Sequence, residues 1–281
     1  MVKITAILGN YNDSRFLINC VSKLSAQNPD ELLIVDDNST DKSVELIKSL
    51  QKKYPLRLIK NDGIKGPFGA FIKGCQEAKN DYVSWWACDD EPLPGYFVFM
   101  KQAIKDFPLV DVYTCNSKVI REGMTFNRVL FPFTAYISPD YAAKIYKRFS
   151  GRVNICGMIL KREILWECFG EKKTNFDELL FLSNIFNKGF VNVGEILYLY
   201  RSYPNGFGAK GKIKDIQKAK EEHGKIYAEN PELYKRIVES KVLENYWFSW
   251  LALRLIMYLP KWLRIKIYKN YYEYSYKIEK L

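Results

Sequence analysis

The chain has 281 residues, 48% of them hydrophobic, so it is long enough to bury one sizeable core and to carry an appendage beside a single main domain. Its formal net charge is +11, and residues 201–281 hold 17 Lys+Arg against 9 Asp+Glu, so most of the excess lies in the C-terminal quarter and points to something anionic there. A single histidine, His223, and six cysteines (Cys20, Cys75, Cys88, Cys115, Cys156, Cys168) with no C-x-x-C pair argue against a multi-His zinc site, a Ser-His-Asp triad and a disulfide framework.

From the N-terminus, "MVKITAILGNYND" turns polar too early for the apolar core of a signal peptide, which predicts a cytoplasmic protein with reduced cysteines. The run "KITAIL" (3–8) predicts a strand, and "SRFLINCVSKLSA" an amphipathic helix after it. "ELLIVDD" (31–37) is a second strand followed by the helical pattern "DKSVELIKSLQKKY". "LRLIKN" (56–61) leads into a Gly-containing helix over 66–78, and "DYVSWWACDD" closes the series. Strands alternating with helices in this way predict an α/β fold with a mostly parallel sheet flanked by helices on both faces. Ligands of such sheets bind beyond the C-terminal strand ends. Three polar clusters fall there: Gly9 to Asp13, Asp36 to Ser39, and Asp89-Asp90-Glu91.

Further along, "PLPGYFVFMKQAIKDF" reads as a helix and "VDVYTCNSKVI" as a strand, with mixed, aromatic-rich β-structure over 120–150. "NICGMILKREILWECFG" reads as a strand running into a short helix, "NFDELLFLSNIFNKGF" as a helix stopped by Gly189, and "VNVGEILYLYRSYPNG" as a strand with an exit loop. These divide the chain into a domain over 1–205 and a basic, aromatic-rich helical extension over 206–281. Within the extension, "YWFSWLALRLIMYL" falls short of the ~20 apolar residues of a spanning helix. The "KWLRIKIYKNYYEYSYKIEK" that follows interleaves basic and aromatic residues as interfacial helices do. Packing on the domain, peripheral attachment to an anionic membrane, and a nucleic-acid surface are the three readings of this tail; the expected partner is membrane, not nucleic acid.

Paired carboxylates at a strand end suit a hard divalent cation, which takes oxygen ligands from one or two carboxylates and from substrate phosphates. Taken with "AILGNYN", "LLIVDDNSTDKS" and "NDGIKGPFGAFIKGCQEAKNDYV", the "WWACDD" stretch resembles, in order and spacing, the nucleotide-binding half of family 2 glycosyltransferases with the GT-A fold. The resemblance covers about the first 100 residues, and "FDELL" and "YLYR" match the family's acidic helix and closing Tyr-Arg more loosely. It implies an inverting, metal-dependent transferase. Its donor would be a nucleotide sugar, most commonly UDP-linked, and its acceptor a glycan or lipid-linked sugar of surface polysaccharide such as capsule or lipopolysaccharide. Mn²⁺ or Mg²⁺ would be the cofactor, and the location the cytoplasmic face of the inner membrane.

Carried over by position, the resemblance gives Tyr11 a stacking role at the base and Gly9 a backbone contact to it. Asp37 would bond the base edge, Asp36 support the turn, Asp89 hold the ribose and Asp90 the metal. Lys65 and Lys73 are candidates for the phosphates or ordinary surface lysines, and Arg201 either touches the diphosphate or pairs with an acid. The base that takes the acceptor proton would be Glu178 or its neighbour Asp177, in reversed order relative to the family's Glu-Asp pair; counting back from Gly189 favours Glu178. The first turn departs from the family in having Leu8-Gly9 where Pro-Thr or Pro-Ser is usual. A receiver domain is a poor rival, because its acidic pair ends the first strand. A sugar nucleotidyltransferase would need a Gly-rich, basic first turn that "AILGNYNDSRF" lacks, and a non-catalytic scaffold has no need of both motif aspartates.

Overall fold

The computed structural model describes residues 1–121, 123–142, 156–164, 188–203, 231, 235 and 258–273, the last six of these by backbone only. The chain begins β1 (Ile4–Asn10), α1 (Ser14–Ala26), β2 (Glu31–Asp36), α2 (Ser43–Leu50), β3 (Leu56–Lys60), α3 (Pro67–Glu77) and β4 (Tyr82–Ala87). Then come β5 (Glu91–Pro92), α4 (Tyr96–Asp106), β6 (Val112–Arg121), β7 (Met124–Arg128), β8 (Ala135–Ile137), β9 (Ile159–Lys161), β10 (Phe190–Ser202) and α5 (Lys261–Glu273). One sheet runs in the order β3-β2-β1-β4-β9-β6-β10-β5, with β7 beside β6 and β8 beside β10. The first four strands are parallel, as the β-α alternation requires.

Both sheet faces are covered. In β1, Ile4, Ala6 and Leu8 face α1, α2 and α4, while Ile7 faces α3, so the strand reads as an unbroken apolar run. Helix α1 presents Leu17, Cys20, Val21 and Leu24 to the sheet at helical spacing. Pro67 fits the first turn of α3, where its missing N–H leaves no carbonyl short of a donor. Gly74 lets this helix close onto the sheet, because a Cβ there would stand 2.4 Å from Ile7 Cγ2.

The adjacent tryptophans anchor β4 from both sides. Trp85 packs with Phe71 of α3, centroids 5.0 Å apart. Trp86 is fully buried on the other face, edge-on to Tyr96 at 4.8 Å, with its indole N–H donating to Ser84 Oγ at 2.9 Å. Two aromatic side chains on opposite faces fix the register of the strand that delivers the acidic turn.

The second half departs from a simple doubly wound sheet. Strand β9 enters antiparallel between β4 and β6, and β5 adds antiparallel to β10. The pairing of β5 with β10 brings Glu91 opposite Leu199, so the acidic turn after β4 meets the end of β10 across 108 residues of sequence. Among the described residues, no helix is long and apolar enough to cross a membrane.

Candidate nucleotide-binding site

The loops after β1 and β2 are sewn together by short polar side chains. Asn10 Nδ2 donates to Asp36 Oδ1 (2.7 Å) and to Ser39 Oγ (3.0 Å), and Ser39 returns its hydroxyl to Asp36 Oδ1 at 2.6 Å. The Ser39 amide takes the other Asp36 oxygen at 3.0 Å. Asp36 therefore braces the turn. Asn12, at φ +54°, accepts the Thr40 amide through Oδ1 at 2.7 Å, binding the first loop to the second. Asn tolerates this left-handed conformation better than most residues.

Asp37 is 9% exposed, and both of its oxygens have internal donors. Asn61 Nδ2 reaches Oδ1 at 2.6 Å and the Gly66 amide reaches Oδ2 at 2.7 Å. Gly66 sits at φ +101°, a conformation that favours glycine, just before the first turn of α3. Asp37 thus holds the β3-to-α3 loop against the end of β2, with Lys65 exposed on that loop. Lys73, by contrast, pairs with Asp62 at 3.0 Å and Glu77 at 3.3 Å, the surface role.

Gly9 is fixed by packing. A Cβ there would lie 2.3 Å from the Trp85 ring, and the Gly9 carbonyl accepts the Cys88 thiol at 3.2 Å. Tyr11, two residues on, is 58% exposed at the rim.

The carboxylates of the acidic turn have separate environments. Asp90 is 1% exposed, accepts the Tyr198 hydroxyl on Oδ2, and accepts the Arg201 amide on Oδ1 at 3.1 Å. Burial, reinforced by the Asp89 charge, pushes its carboxyl up to about 8 despite these donors. Asp89 is half-buried; burial raises its carboxyl, with Arg201 and Arg15 opposing the shift. Asp13 is raised first by burial and then by the Asp89 charge. Glu91, 8% exposed, pairs with Arg201 Nη2 at 2.5 Å and accepts the Asn19 amide.

Arg201 is consequently a clamp on the whole turn. Its backbone N–H holds Asp90, its Nη1 holds the Asp89 carbonyl at 2.8 Å, and its Nη2 holds Glu91. Among the described residues its guanidinium pairs with Glu91. Tyr198 and Asn19 are members of this network that the sequence did not single out. The cross-sheet pairing of β5 and β10 brings Tyr198 to the acidic turn, and Asn19 reaches Glu91 from α1. Asp177 and Glu178 lie outside the described residues.

A divalent cation fits this constellation. Asp89 offers an oxygen donor open to solvent, and Asp13 and Asp89 bring like charge together where a cation would relieve it. Among the described residues no group of three or more His, Cys, Asp or Glu could hold a metal unaided. Phosphate oxygens and water would have to complete the shell, the usual habit of Mg²⁺ beside nucleotides.

The family model described as Glycosyl transferase family 2 matches residues 5–169, more than half of the chain. The chain belongs to glycosyl transferase family 2. An uncharacterized glycosyltransferase of Nostoc sp. is 35% identical over 139 residues, 44% of this chain and 41% of that relative. The dolichol-phosphate mannosyltransferase of Pyrococcus furiosus is 30% identical over 135 residues, 46% of this chain and 38% of its own. This family 2 chain thus matches about two-fifths of the length of these curated relatives.

Among solved structures, S. aureus TarS 1–349 in complex with UDP-GlcNAc superposes with TM-score 0.68 at 15% identity, covering 88% of this chain and 73% of that one. The mannosyltransferase PcManGT from Pyrobaculum calidifontis, in complex with GDP-Man and Mn²⁺, gives TM-score 0.57 at 16% identity, covering 97% and 83%. These likenesses establish the GT-A fold for this family 2 member.

Proposed function

We propose that this family 2 chain is a metal-dependent, inverting glycosyltransferase. It moves a sugar from a nucleotide-sugar donor, UDP-linked in the first instance, to a glycan or lipid-linked acceptor in surface polysaccharide synthesis. The observation that carries the reading is the half-exposed Asp89, held in a turn that Arg201 clamps at the C-terminal end of β4, beside the braced loops after β1 and β2. The general habit of open α/β sheets, which bind ligands beyond the C-terminal strand ends, supports the reading. The relative named for dolichol-phosphate and the neighbours solved with UDP-GlcNAc and GDP-Man agree in chemistry.

In this proposal Tyr11 lies against the base, and Gly9 and Asp37 shape the base pocket, Asp37 through the loop it holds as much as by direct contact. Lys65 approaches the phosphates from the start of α3. Asp89 faces the diphosphate end of the donor and would hold the Mn²⁺ or Mg²⁺, while buried Asp90 keeps the turn in shape through Tyr198 and Arg201. This moves the metal from Asp90, where the family pattern puts it, to Asp89, on the ground that Asp90 is only 1% exposed. A bound cation would neutralise charge on the departing diphosphate. One of Glu178 and Asp177 takes the proton of the acceptor hydroxyl as it attacks opposite the leaving group.

Residues 1–205 form the transferase domain in this reading, and the basic extension over 206–281 holds it to anionic lipid, where a lipid-linked acceptor resides. Exposed Trp262, at the start of α5, and Tyr258, just before it, belong to that attachment. The test of the chemistry is release of free nucleotide from UDP-glucose, UDP-GlcNAc and GDP-mannose with Mn²⁺ present. Slow release from one donor, abolished by chelation and by Asp89→Asn, is the expected result; no release from any donor under any metal condition contradicts the reading.

A further inference from the structure

The network just described leaves the acidic turn with a shortage of positive charge. Breaking the bond between the sugar's anomeric carbon and the diphosphate leaves the electron pair on the β-phosphate oxygen. The acceptor oxygen forms the new bond to carbon, and its proton passes to a carboxylate. The departing group therefore gains one negative charge beside Asp89. Arg201 spends Nη1 and Nη2 on the turn, Lys73 is paired with Asp62 and Glu77, and Lys65, exposed on the β3-to-α3 loop, is a flexible point charge.

Arg15, in the first turn of α1, is different. It is exposed, and among the described residues no carboxylate lies within ion-pair distance of it. Its guanidinium lies over the Phe16 ring, with Cζ 4.4 Å from the centroid. Phe16 in turn packs against Tyr203, ring centroids 5.9 Å apart, and Tyr203 is the second residue after Arg201. The aromatic pair therefore ties the start of α1 to the strand that clamps the acidic turn. The Arg15 charge is felt at Asp13, Asp89 and Tyr203, the groups that surround this corner. A guanidinium held over a ring is partly pre-organised and loses less rotamer freedom on binding, and its planar fork matches two phosphate oxygens.

We propose that Arg15, positioned by Phe16 and Tyr203, grips the donor's diphosphate from the α1 side, opposite the loop that carries no ring-held cation but only Lys65, and receives the diphosphate as it leaves. The inference rests on the nucleotide-sugar reading of the site and adds a residue that the family pattern does not supply. Arg15 acts by direct contact with the diphosphate; Phe16 and Tyr203 act through Arg15.

The test compares UDP with UMP, and GDP with GMP, by calorimetric titration into the full chain with Mn²⁺, using wild type, Arg15→Ala and Arg15→Lys. A charge-assisted bidentate contact corresponds to roughly tenfold to hundredfold in affinity. The wild type should prefer the diphosphate. Arg15→Ala should lose roughly tenfold or more of diphosphate affinity while its monophosphate affinity is unchanged, and Arg15→Lys, which keeps the charge but not the fork, should fall between. Unchanged diphosphate affinity in Arg15→Ala, or equal loss for mono- and diphosphate, overturns the role of Arg15 and leaves the donor site standing. Failure of the wild type to bind any diphosphate overturns both.

Discussion

Asp89 and Asp90 are chemically identical neighbours that the fold treats in opposite ways. One stays half in solvent; the other is enclosed, bonded to Tyr198 and to the Arg201 amide. Asp90→Ala should accordingly lower stability by about 1–3 kcal/mol, since it strands two buried donors, and this is read as a shift in thermal midpoint. Asp89→Ala should destabilise less than Asp90→Ala, by about 0.5 kcal/mol or less, because its side chain is only partly buried. Gly9 offers a second case. Gly9→Ala would press a methyl into the Trp85 ring, and overpacking of this kind costs about 1–3 kcal/mol. Trp85→Leu in the same chain should cost less than the two single changes added together, because the clash disappears, and a double-mutant cycle measures the difference. The acidic residues themselves were legible in the sequence because carboxylates at strand ends are conspicuous. Their division of labour was not, since it depends on Tyr198 and Arg201, more than 100 residues away. Gly9 shows the same limit: its identity follows from Trp85 on the adjacent strand, a contact no local pattern encodes.

Elements in the first hundred residues were readable because each is specified locally. Apolar spacing marks α1, β-rich runs mark β1 to β4, and Pro67 marks the start of α3. The strand read in "NICGMILKREILWECFG" forms β9, but its antiparallel place between β4 and β6, and the two-residue β5, were not foreseen, because non-local pairing selects them. At the opposite end of the sheet from the acidic turn, Asp111 joins β6, β9 and the start of β10 through Lys161 at 3.1 Å and Lys188 at 2.8 Å. Burial tends to raise the Asp111 carboxyl, but the hydrogen bonds and charges of Lys188 and Lys161 outweigh it and hold the group below its ordinary value. A depressed folded-state value means that the unfolded chain binds the proton more readily. The stabilisation is therefore complete above the unfolded carboxylate range and is lost as pH falls through the folded value. Asp111→Asn should reduce stability at neutral pH by about 1–3 kcal/mol, moderated by the solvent exposure of both lysines, and should flatten the acid limb of stability against pH. Chemical denaturation at a series of pH values from about 7 to 3 checks both parts.

At the scale of the whole molecule, the parallel sheet sets its C-terminal strand ends on one edge, and the β5–β10 pairing brings the second half of the chain to that same edge. The proposed donor site is therefore shared between sequence-distant halves, which is why its loops could be read from four motifs while the Arg201 clamp emerged only from topology. The basic charge of the C-terminal quarter belongs to this scale too. Full-length protein should sediment with vesicles containing anionic lipid and be released by about 0.5 M salt, because contacts to a charged surface are screened. Sedimentation that salt leaves unchanged, or equal binding to neutral vesicles, would count against an electrostatic attachment. The central claim is a metal-dependent nucleotide diphosphate site built on Asp89. Its most direct measurement is calorimetric titration of UDP, GDP and dTDP with and without Mn²⁺, using wild type and Asp89→Ala. The account predicts that one nucleotide binds only with the metal and that Asp89→Ala abolishes this binding while remaining folded. Metal-independent binding, or binding that survives in Asp89→Ala, would contradict it.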